Sequence, residues 1–125
     1  MAHYGEQLAF TMVASGDLSG KRYHVMRAIG AGTTSQGSLA SDAAIIGVLQ
    51  NDPKNGENAT IAYSGLSKAV AGAAITANDL LTLNSSGRAI TQTGSQQMII
   101  GRAISAAAAD GDTITALLSF PTFRA

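Results

Sequence analysis

The segment TITALLSF, residues 113–120, decides the fold class of this chain. Successive side chains of a β-strand point to opposite faces of a sheet, so the even-numbered positions share one face and the odd-numbered positions share the other. The even-numbered face holds Ile114, Ala116, Leu118 and Phe120. Leu117 falls on the opposite face among hydroxyl side chains. We therefore predict a half-buried strand with Ile114 and Leu118 toward the core.

A second segment, YHVMRAI at residues 23–29, follows the same strand period. Tyr23, Val25 and Ile29 fall on one face, which Arg27 interrupts. His24 falls on the face opposite Val25, and we predict a surface or interface role for it. Elsewhere, fourteen glycines and two prolines separate short apolar runs, which is typical of strands of about five residues joined by turns. The pattern predicts an all-β domain with short strands.

A turn and a weak internal repeat organise these runs. The apolar runs at 43–50 and 59–63 are separated by NDPKNGE, residues 51–57, in which proline and Asn-Gly favour a turn. The tripeptide Ile-Ile-Gly occurs at 45–47 and again at 99–101, a spacing of 54 residues. A Gly-acid turn follows each copy, at 56–57 and at 111–112, a spacing of 55 residues. We interpret the repeat as two similar β units packed together.

The segment GAGTTSQGS, residues 30–38, contains no apolar side chain larger than alanine. Such a segment buries little apolar surface. We therefore predict a mobile surface loop at these residues.

Length, charge and composition exclude several classes of protein. The chain has 125 residues, which suits one domain. Eight basic residues balance eight acidic ones, and no cysteine is present, so we expect no nucleic-acid partner, no membrane partner and no disulfide framework. The first ten residues lack the basic and apolar regions of a signal peptide. No apolar run approaches the roughly 20 residues that cross a bilayer, and we expect a soluble protein.

Reactive side chains are few. The two histidines are His3 and His24, and no Gly-x-Ser-x-Gly motif marks a nucleophile. Asp110-Gly111-Asp112 resembles the start of a calcium loop but lacks the later ligands. Gly30-Ala31-Gly32 lacks the third glycine of a dinucleotide-binding fingerprint. We expect no catalytic, cofactor-binding or metal-binding residues, and we predict that the protein is not an enzyme.

The N-terminal segment leaves two interpretations open. Tyr4, Leu8, Phe10 and Met12 follow a strand-like period. They form either an ordinary first strand of the domain or an arm that pairs with a partner's sheet edge. We accordingly divide the chain into an N-terminal arm at residues 1–16, which can be flexible, and a single β domain at residues 17–125.

Short landmarks built of turn residues follow one another between Phe10 and Leu118. They are Phe10-Thr11, Asp17-Leu18-Ser19, residues 46–51 with Pro53 and Gly56-Glu57, Gly65 with Lys68, residues 74–77, Asp79-Leu80, residues 86–89, residues 101–103 and residues 109–112. Each landmark alone is short, but their order and spacing together resemble the decoration (cement) proteins of tailed bacteriophages. At position 78 the family pattern has glycine and this chain has asparagine, a residue that is also enriched at positive φ.

The resemblance implies a β-barrel-like or β-tulip protomer that forms homotrimers. It implies binding to the major capsid protein at threefold or quasi-threefold positions on the outside of the expanded head, where the protein stabilises the capsid against internal DNA pressure. It also implies synthesis in the host cytoplasm and no cofactor. Two other functions remain alternatives: a phage tail-fibre or host-recognition β module, and a small-ligand-binding β-barrel.

Candidates for capsid or subunit contact lie toward the two chain ends. Interface energy concentrates in large anchoring side chains, and the chain has only three phenylalanines, three tyrosines and no tryptophan. The candidates are Tyr4, Leu8, Phe10, Met12, Phe120 and Phe123.

Overall fold

The computed structural model describes residues 7–94 and 96–120, and within them the secondary structure consists of β-strands without a helix. The strands are β1 Gln7–Ala14, β2 Val25–Gly30, β3 Thr33–Gln36, β4 Ile45–Leu49, β5 Asn58–Val70, β6 Leu80–Leu83, β7 Ala89–Thr91, β8 Gly101–Ala103 and β9 Thr113–Ser119. The predicted all-β fold is confirmed. No helix able to cross a membrane occurs in the part of the chain that the structure describes.

Strands β1 to β5 close into a small barrel. The strand order β1-β3-β2-β4-β5 returns to its start because β1 also pairs antiparallel with β5. The contact between β1 and β3 is parallel and short, at Val13 and Ala14. Closure satisfies the strand edges within the barrel. The barrel-like architecture that the resemblance implied is therefore confirmed.

A compact apolar cluster fills the barrel. Met26, Leu49 and Ile61 are fully buried in it, and Leu18, Ala14 and Ala59 complete it. A barrel of few strands has a narrow interior. Alanine at two inward positions leaves room for the three larger side chains.

A second and larger cluster covers the outside of the barrel. Val25 belongs to this outer cluster while its neighbour Met26 belongs to the barrel cluster, and Val48 and Leu49 divide in the same way. The two-residue strand period produces this division. The chain segment that contains β6 to β9 packs on this side of the barrel. It contributes to the outer cluster the side chains of Leu81, Leu83, Ile100, Ile114 and Leu118.

Strand β5 joins the two layers. Its first half pairs with β1 and β4, and its second half pairs with β9 from Ser64 to Val70. Strands β8, β6 and β7 follow β9 in order. Strand β9 confirms the prediction for residues 113–120, since Ile114 and Leu118 are buried and Leu117 is 45% exposed.

The internal repeat corresponds to two hairpins of matching register. Val48 pairs with Ala62 in the β4–β5 hairpin, and Arg102 pairs with Leu117 in the β8–β9 hairpin. The first strands are thus offset by 54 residues (48 to 102) and the second strands by 55 (62 to 117). These are the two spacings found in the sequence, so each repeat unit is one hairpin.

Strand β2 begins later than the sequence predicts. Tyr23 has a φ of 68°, which lies outside the strand region. Its backbone is held there because its N–H donates to the carbonyl of Leu49 (2.7 Å) and its carbonyl accepts from the N–H of Val70 (3.1 Å). His24, the next residue, is only 4% exposed. This burial corrects the surface or interface role predicted for His24.

The prediction of a mobile loop at residues 30–38 is wrong for the central part of this segment, because Thr33–Gln36 form β3. Backbone pairing with β2 and β1 holds this strand in place, although its side chains are all polar. Thr34 is fully buried, and its Oγ1 donates to the carbonyl of Arg27 at 2.8 Å.

The N-terminal segment is a barrel strand from Gln7 onward. Residues 7–14 pair with β5 and β3 of the same chain, which favours the ordinary first strand over an arm for these residues. Residues 1–6 of the predicted arm lie outside the described residues. Asn78 has a φ of 77°, so asparagine adopts the left-handed turn expected at that position.

Candidate interaction surface

His24 lies in a polar cluster with Arg88 and Asp110. Its Nδ1 is 3.2 Å from the carbonyl oxygen of Arg22, and its Nε2 accepts a hydrogen bond from Nε of Arg88 at 3.4 Å. Arg88 also forms an ion pair with Asp110 at 2.8 Å. Burial lowers the pKa of His24, and the positive charges of Lys21 and Arg88 lower it further. The imidazole thus connects two segments of the chain, at Arg22 and at Arg88.

The Asp110-Gly111-Asp112 segment is a turn. Oδ2 of Asp112 accepts hydrogen bonds from the N–H groups of Ala108 (2.8 Å) and Ala109 (3.1 Å). Hydrogen bonding to neighbouring backbone N–H groups is the usual role of aspartate in turns. Within residues 7–94 and 96–120, no group of three or more His, Cys, Asp or Glu side chains is placed to hold a metal ion.

The exposed side of the second layer is formed by β5, β9, β8 and β6, and we call it the outer face. Across it, Leu66 pairs with Leu117, Leu117 with Arg102, and Arg102 with Leu80. Directly paired side chains lie about 5 Å apart on one face of a sheet. Leu117 is 45% exposed and Leu80 is 39% exposed. These four residues, which we call the outer row, therefore present leucine side chains to solvent beside an arginine.

Residues of the outer row line two hollows. The first has a volume of about 270 Å³, and Leu66 lies in its wall with Tyr23 and Lys68. The second has a volume of about 420 Å³, and Leu117 lies in its wall with Leu80 and Arg102. Each hollow thus has at least one leucine and one cationic side chain in its wall.

The two cations of the outer face are not neutralised within the described residues. Ion pairs there join Arg27 to Asp42 and Arg88 to Asp110, and neither Lys68 nor Arg102 takes part in one. Nη1 of Arg102 donates to the carbonyl of Asn78 at 2.8 Å. No carboxylate lies among the residues that line either hollow. The outer face therefore exposes leucine side chains among hydroxyl side chains and carries two positive charges.

The predicted contact residue Phe10 lies in the middle of β1, where it pairs with Ile61 of β5. Its ring stacks on Tyr63 with the ring centres 5.3 Å apart and the planes at 23°. Ile46 and Phe120 line the same small hollow of about 170 Å³. Phe10 remains 37% exposed, so this hollow presents an aromatic side chain to solvent.

The other predicted contact residues are divided between surface and core. Leu8 is 58% exposed, whereas Phe120 is only 7% exposed and Met12 packs against the barrel cluster. Met12 and Phe120 therefore contribute to the packing of this chain. Tyr4 and Phe123 lie outside the described residues.

Sequence reasoning missed the outer face as a candidate site. Leu117 carried a signal, because the alternation of residues 113–120 places it away from the core. Leu80, Arg102 and Lys68 carried no comparable signal. They come together through pairing between strands that are far apart in the sequence.

The fold and this surface together define the class of protein: a small β-barrel protein whose second layer exposes leucines and two cationic side chains. The family model of phage cement proteins matches residues 3–118. The chain therefore belongs to the phage cement protein family and is a structural protein of the virion, as its resemblance to decoration proteins implied.

A solved structure supports the fold. The N base of head fiber gp8.5 in bacteriophage phi29 superposes with a TM-score of 0.67 at 18% sequence identity, over 94% of this chain and 98% of that chain. At this identity the similarity concerns the fold alone. No curated protein sequence matches the chain.

Proposed function

We propose that this protein binds the outside of the expanded phage head as a homotrimer and stabilises the shell against internal DNA pressure. The observation that carries the proposal is the cement family match, which spans residues 3–118 and so includes almost all of the domain. The role is mechanical and requires no reaction. In this proposal the protein is not an enzyme, and its partner is the major capsid protein.

A trimer suits this role because of its symmetry. At a threefold or quasi-threefold position it presents three equivalent surfaces to neighbouring capsid subunits. Once one protomer is bound, the other two bind at a high effective concentration, so weak single contacts add up to firm attachment. Separating the capsid subunits then requires several contacts to break together.

The described surface supports a binding role. Leu8 is 58% exposed and Phe10 is 37% exposed, and both remain in the proposal as capsid or subunit contacts together with Tyr4 and Phe123. Charged residues make up only 13% of the chain. Depletion of charge and exposure of large apolar side chains are features of the buried centre of an interface.

Cosedimentation with heads tests the proposal. Expanded and unexpanded heads are prepared without this protein and are each mixed with the purified chain. We expect binding to the expanded form and greater resistance of the decorated heads to heat. Binding to neither form contradicts the proposal, and antibody labelling at the tail tip favours the host-recognition alternative.

Sedimentation velocity and a copy number per head test the trimer. We expect three copies for each occupied threefold or quasi-threefold position. One copy per position contradicts the trimer and leaves attachment to the head intact.

A further inference from the structure

We infer that the outer face is the surface through which this protein contacts the phage shell, and that the partner surface there is apolar and acidic. The inference rests on the proposed function, because it names the surface and the partner chemistry of the same binding event. It moves the principal contact from the chain ends to the centre of the second layer.

The outer row is held rigidly before any partner binds. Strand β9 is paired with β5 on one side and with β8 on the other, so the backbone at Leu117 is fixed from both sides. Leu66 and Arg102 are its direct neighbours in the row. A surface that is already ordered loses little conformational entropy on binding. Exposed leucines on such a strand therefore serve well as anchors.

The two hollows specify the shape of the partner. Leu66 lies in the wall of the hollow of about 270 Å³, and its neighbour Leu117 lies in the wall of the hollow of about 420 Å³. We call this pair of leucines the ridge. A matching surface carries one apolar projection for each hollow. Anchors that fill such depressions typically dominate the energy of an interface.

The charges specify the chemistry of the partner. Lys68 lies at one hollow and Arg102 at the other, and no carboxylate lines either of them. A partner with a carboxylate beside each apolar projection neutralises both cations as they lose water. A second copy of the same face instead brings cation toward cation, which costs free energy at an interface. The occupant that fits is therefore an acidic and apolar surface of the shell protein.

Charge reversal on the outer face tests the inference. Lys68→Glu and Arg102→Glu each change the net charge by the same amount as Lys54→Glu, and Lys54 is an exposed residue that lines neither hollow. In cosedimentation with expanded heads, we expect each outer-face variant to bind about tenfold more weakly, because an attraction becomes a repulsion. The Lys54 variant is expected to bind within about twofold of the parent. Circular dichroism and thermal melting verify that all three variants are folded.

Polar substitution on the ridge provides a second test that leaves charge unchanged. Leu117 is 45% exposed and Ile29, on β2, is 43% exposed, so Ile29→Ser is a matched control for Leu117→Ser. We expect the Leu117 variant to bind heads about tenfold more weakly and the Ile29 variant to bind as the parent does.

The outcomes separate this inference from the function on which it rests. If the parent binds expanded heads and the folded outer-face variants bind equally well, the outer face is not the contact and only this inference is overturned. If the variants instead alter the sedimentation of the free protein, the face joins copies of the chain, which also overturns it. If the parent itself binds no heads, both proposals are overturned.

Discussion

A β-carbon on Gly47 would overlap the carbonyl oxygen of Ala62, the residue that pairs with Val48 across the β4–β5 hairpin. Gly101 has the same relationship to the carbonyl of Leu117 in the β8–β9 hairpin. Residues 62 and 117 are the equivalent positions of the internal repeat. Both copies of the Ile-Ile-Gly tripeptide therefore use glycine where one strand approaches the backbone of its partner.

The substitution Gly47→Ala is expected to lower the free energy of unfolding by about 3 kcal/mol, because β4 must move away from a backbone carbonyl in a packed layer. Urea unfolding followed by circular dichroism measures the change. Gly94→Ala is the control, since a β-carbon at Gly94 has no neighbour within 4 Å and its φ is not positive. We expect the control to change stability by less than about 0.5 kcal/mol. Equal losses in the two variants contradict the steric explanation.

A buried hydroxyl provides the second prediction. Thr82 is fully buried, and its Oγ1 has no hydrogen-bond partner among the described residues. Thr82→Val removes this unpaired group at nearly constant volume, so we expect unfolding free energy to be unchanged or to rise by about 1 kcal/mol. Thr34→Val is the matched control, because Thr34 is equally buried but its Oγ1 donates to the carbonyl of Arg27. The control is expected to lose about 1 to 2 kcal/mol, and a loss in the Thr82 variant as large as this contradicts the argument.

The sequence predicts those strands in which the alternation of apolar and polar side chains indicates which face is buried. Strand β9 was predictable because one of its faces is apolar along its whole length. Strand β3 was not, since Thr33–Gln36 are held by backbone pairing with β2 and β1 and bury little apolar surface. Strand period alone also could not reveal that the positive φ of Tyr23 turns the chain and carries His24 inward.

The candidate site was less predictable than the fold for a related reason. Leu80, Arg102 and Leu117 become neighbours only through the pairing of β6, β8 and β9. No local sequence pattern encodes that pairing. The predicted contacts included Phe10 and Phe120 because large aromatic side chains are few in this chain and lie toward its two ends. Phe120 is instead 7% exposed and packs within the outer cluster.

The ion pair between Arg27 and Asp42 is expected to contribute to stability. Nε of Arg27 lies 2.5 Å from Oδ2 of Asp42, whose side chain is 16% exposed. The hydrogen bond from Arg27 lowers the pKa of Asp42. Asp42→Asn keeps an acceptor for the N–H of Ala44 but removes the charge, and we expect thermal unfolding to show a loss of about 1 kcal/mol.

The control for this pair is Asp110→Asn. The Asp110 side chain is 64% exposed where it meets Arg88. Solvent screens such a pair, so the loss is expected to stay below about 0.5 kcal/mol. A larger loss in the Asp110 variant than in the Asp42 variant contradicts the ranking by burial.

Two exposed leucines give a prediction for head binding. Leu8 and Leu39 are 58% and 59% exposed, so substitution of either by serine is expected to change stability little. If Leu8 contacts the capsid or a neighbouring subunit, Leu8→Ser lowers the occupancy of expanded heads and Leu39→Ser leaves it unchanged. Cosedimentation measures both variants. Equal occupancy for the two variants removes Leu8 from the set of contacts.

The buried imidazole of His24 leads to a prediction of how the free energy of unfolding changes in mild acid. Burial holds the pKa of this imidazole below its ordinary value, with Lys21 and Arg88 adding to the effect, so the unfolded chain takes up a proton at higher pH than the folded chain does. The contribution of His24 to the free energy of unfolding is therefore complete above the unfolded pKa of about 6.5, and it falls as the pH drops below that value. The slope from this single group is at most about 1.4 kcal/mol per pH unit. Asp17 and Asp42, whose folded pKa values are also lowered, act in the same direction but only near and below pH 4.

The variant His24→Gln isolates this group between pH 7 and pH 5. The glutamine amide has no proton to gain in this range, so we expect the urea midpoint of the variant to be nearly constant where that of the parent declines. The variant is expected to be less stable than the parent at pH 7, because the ring that joins the carbonyl of Arg22 to Nε of Arg88 is lost. Parallel declines in the two proteins would show that another group takes up the proton.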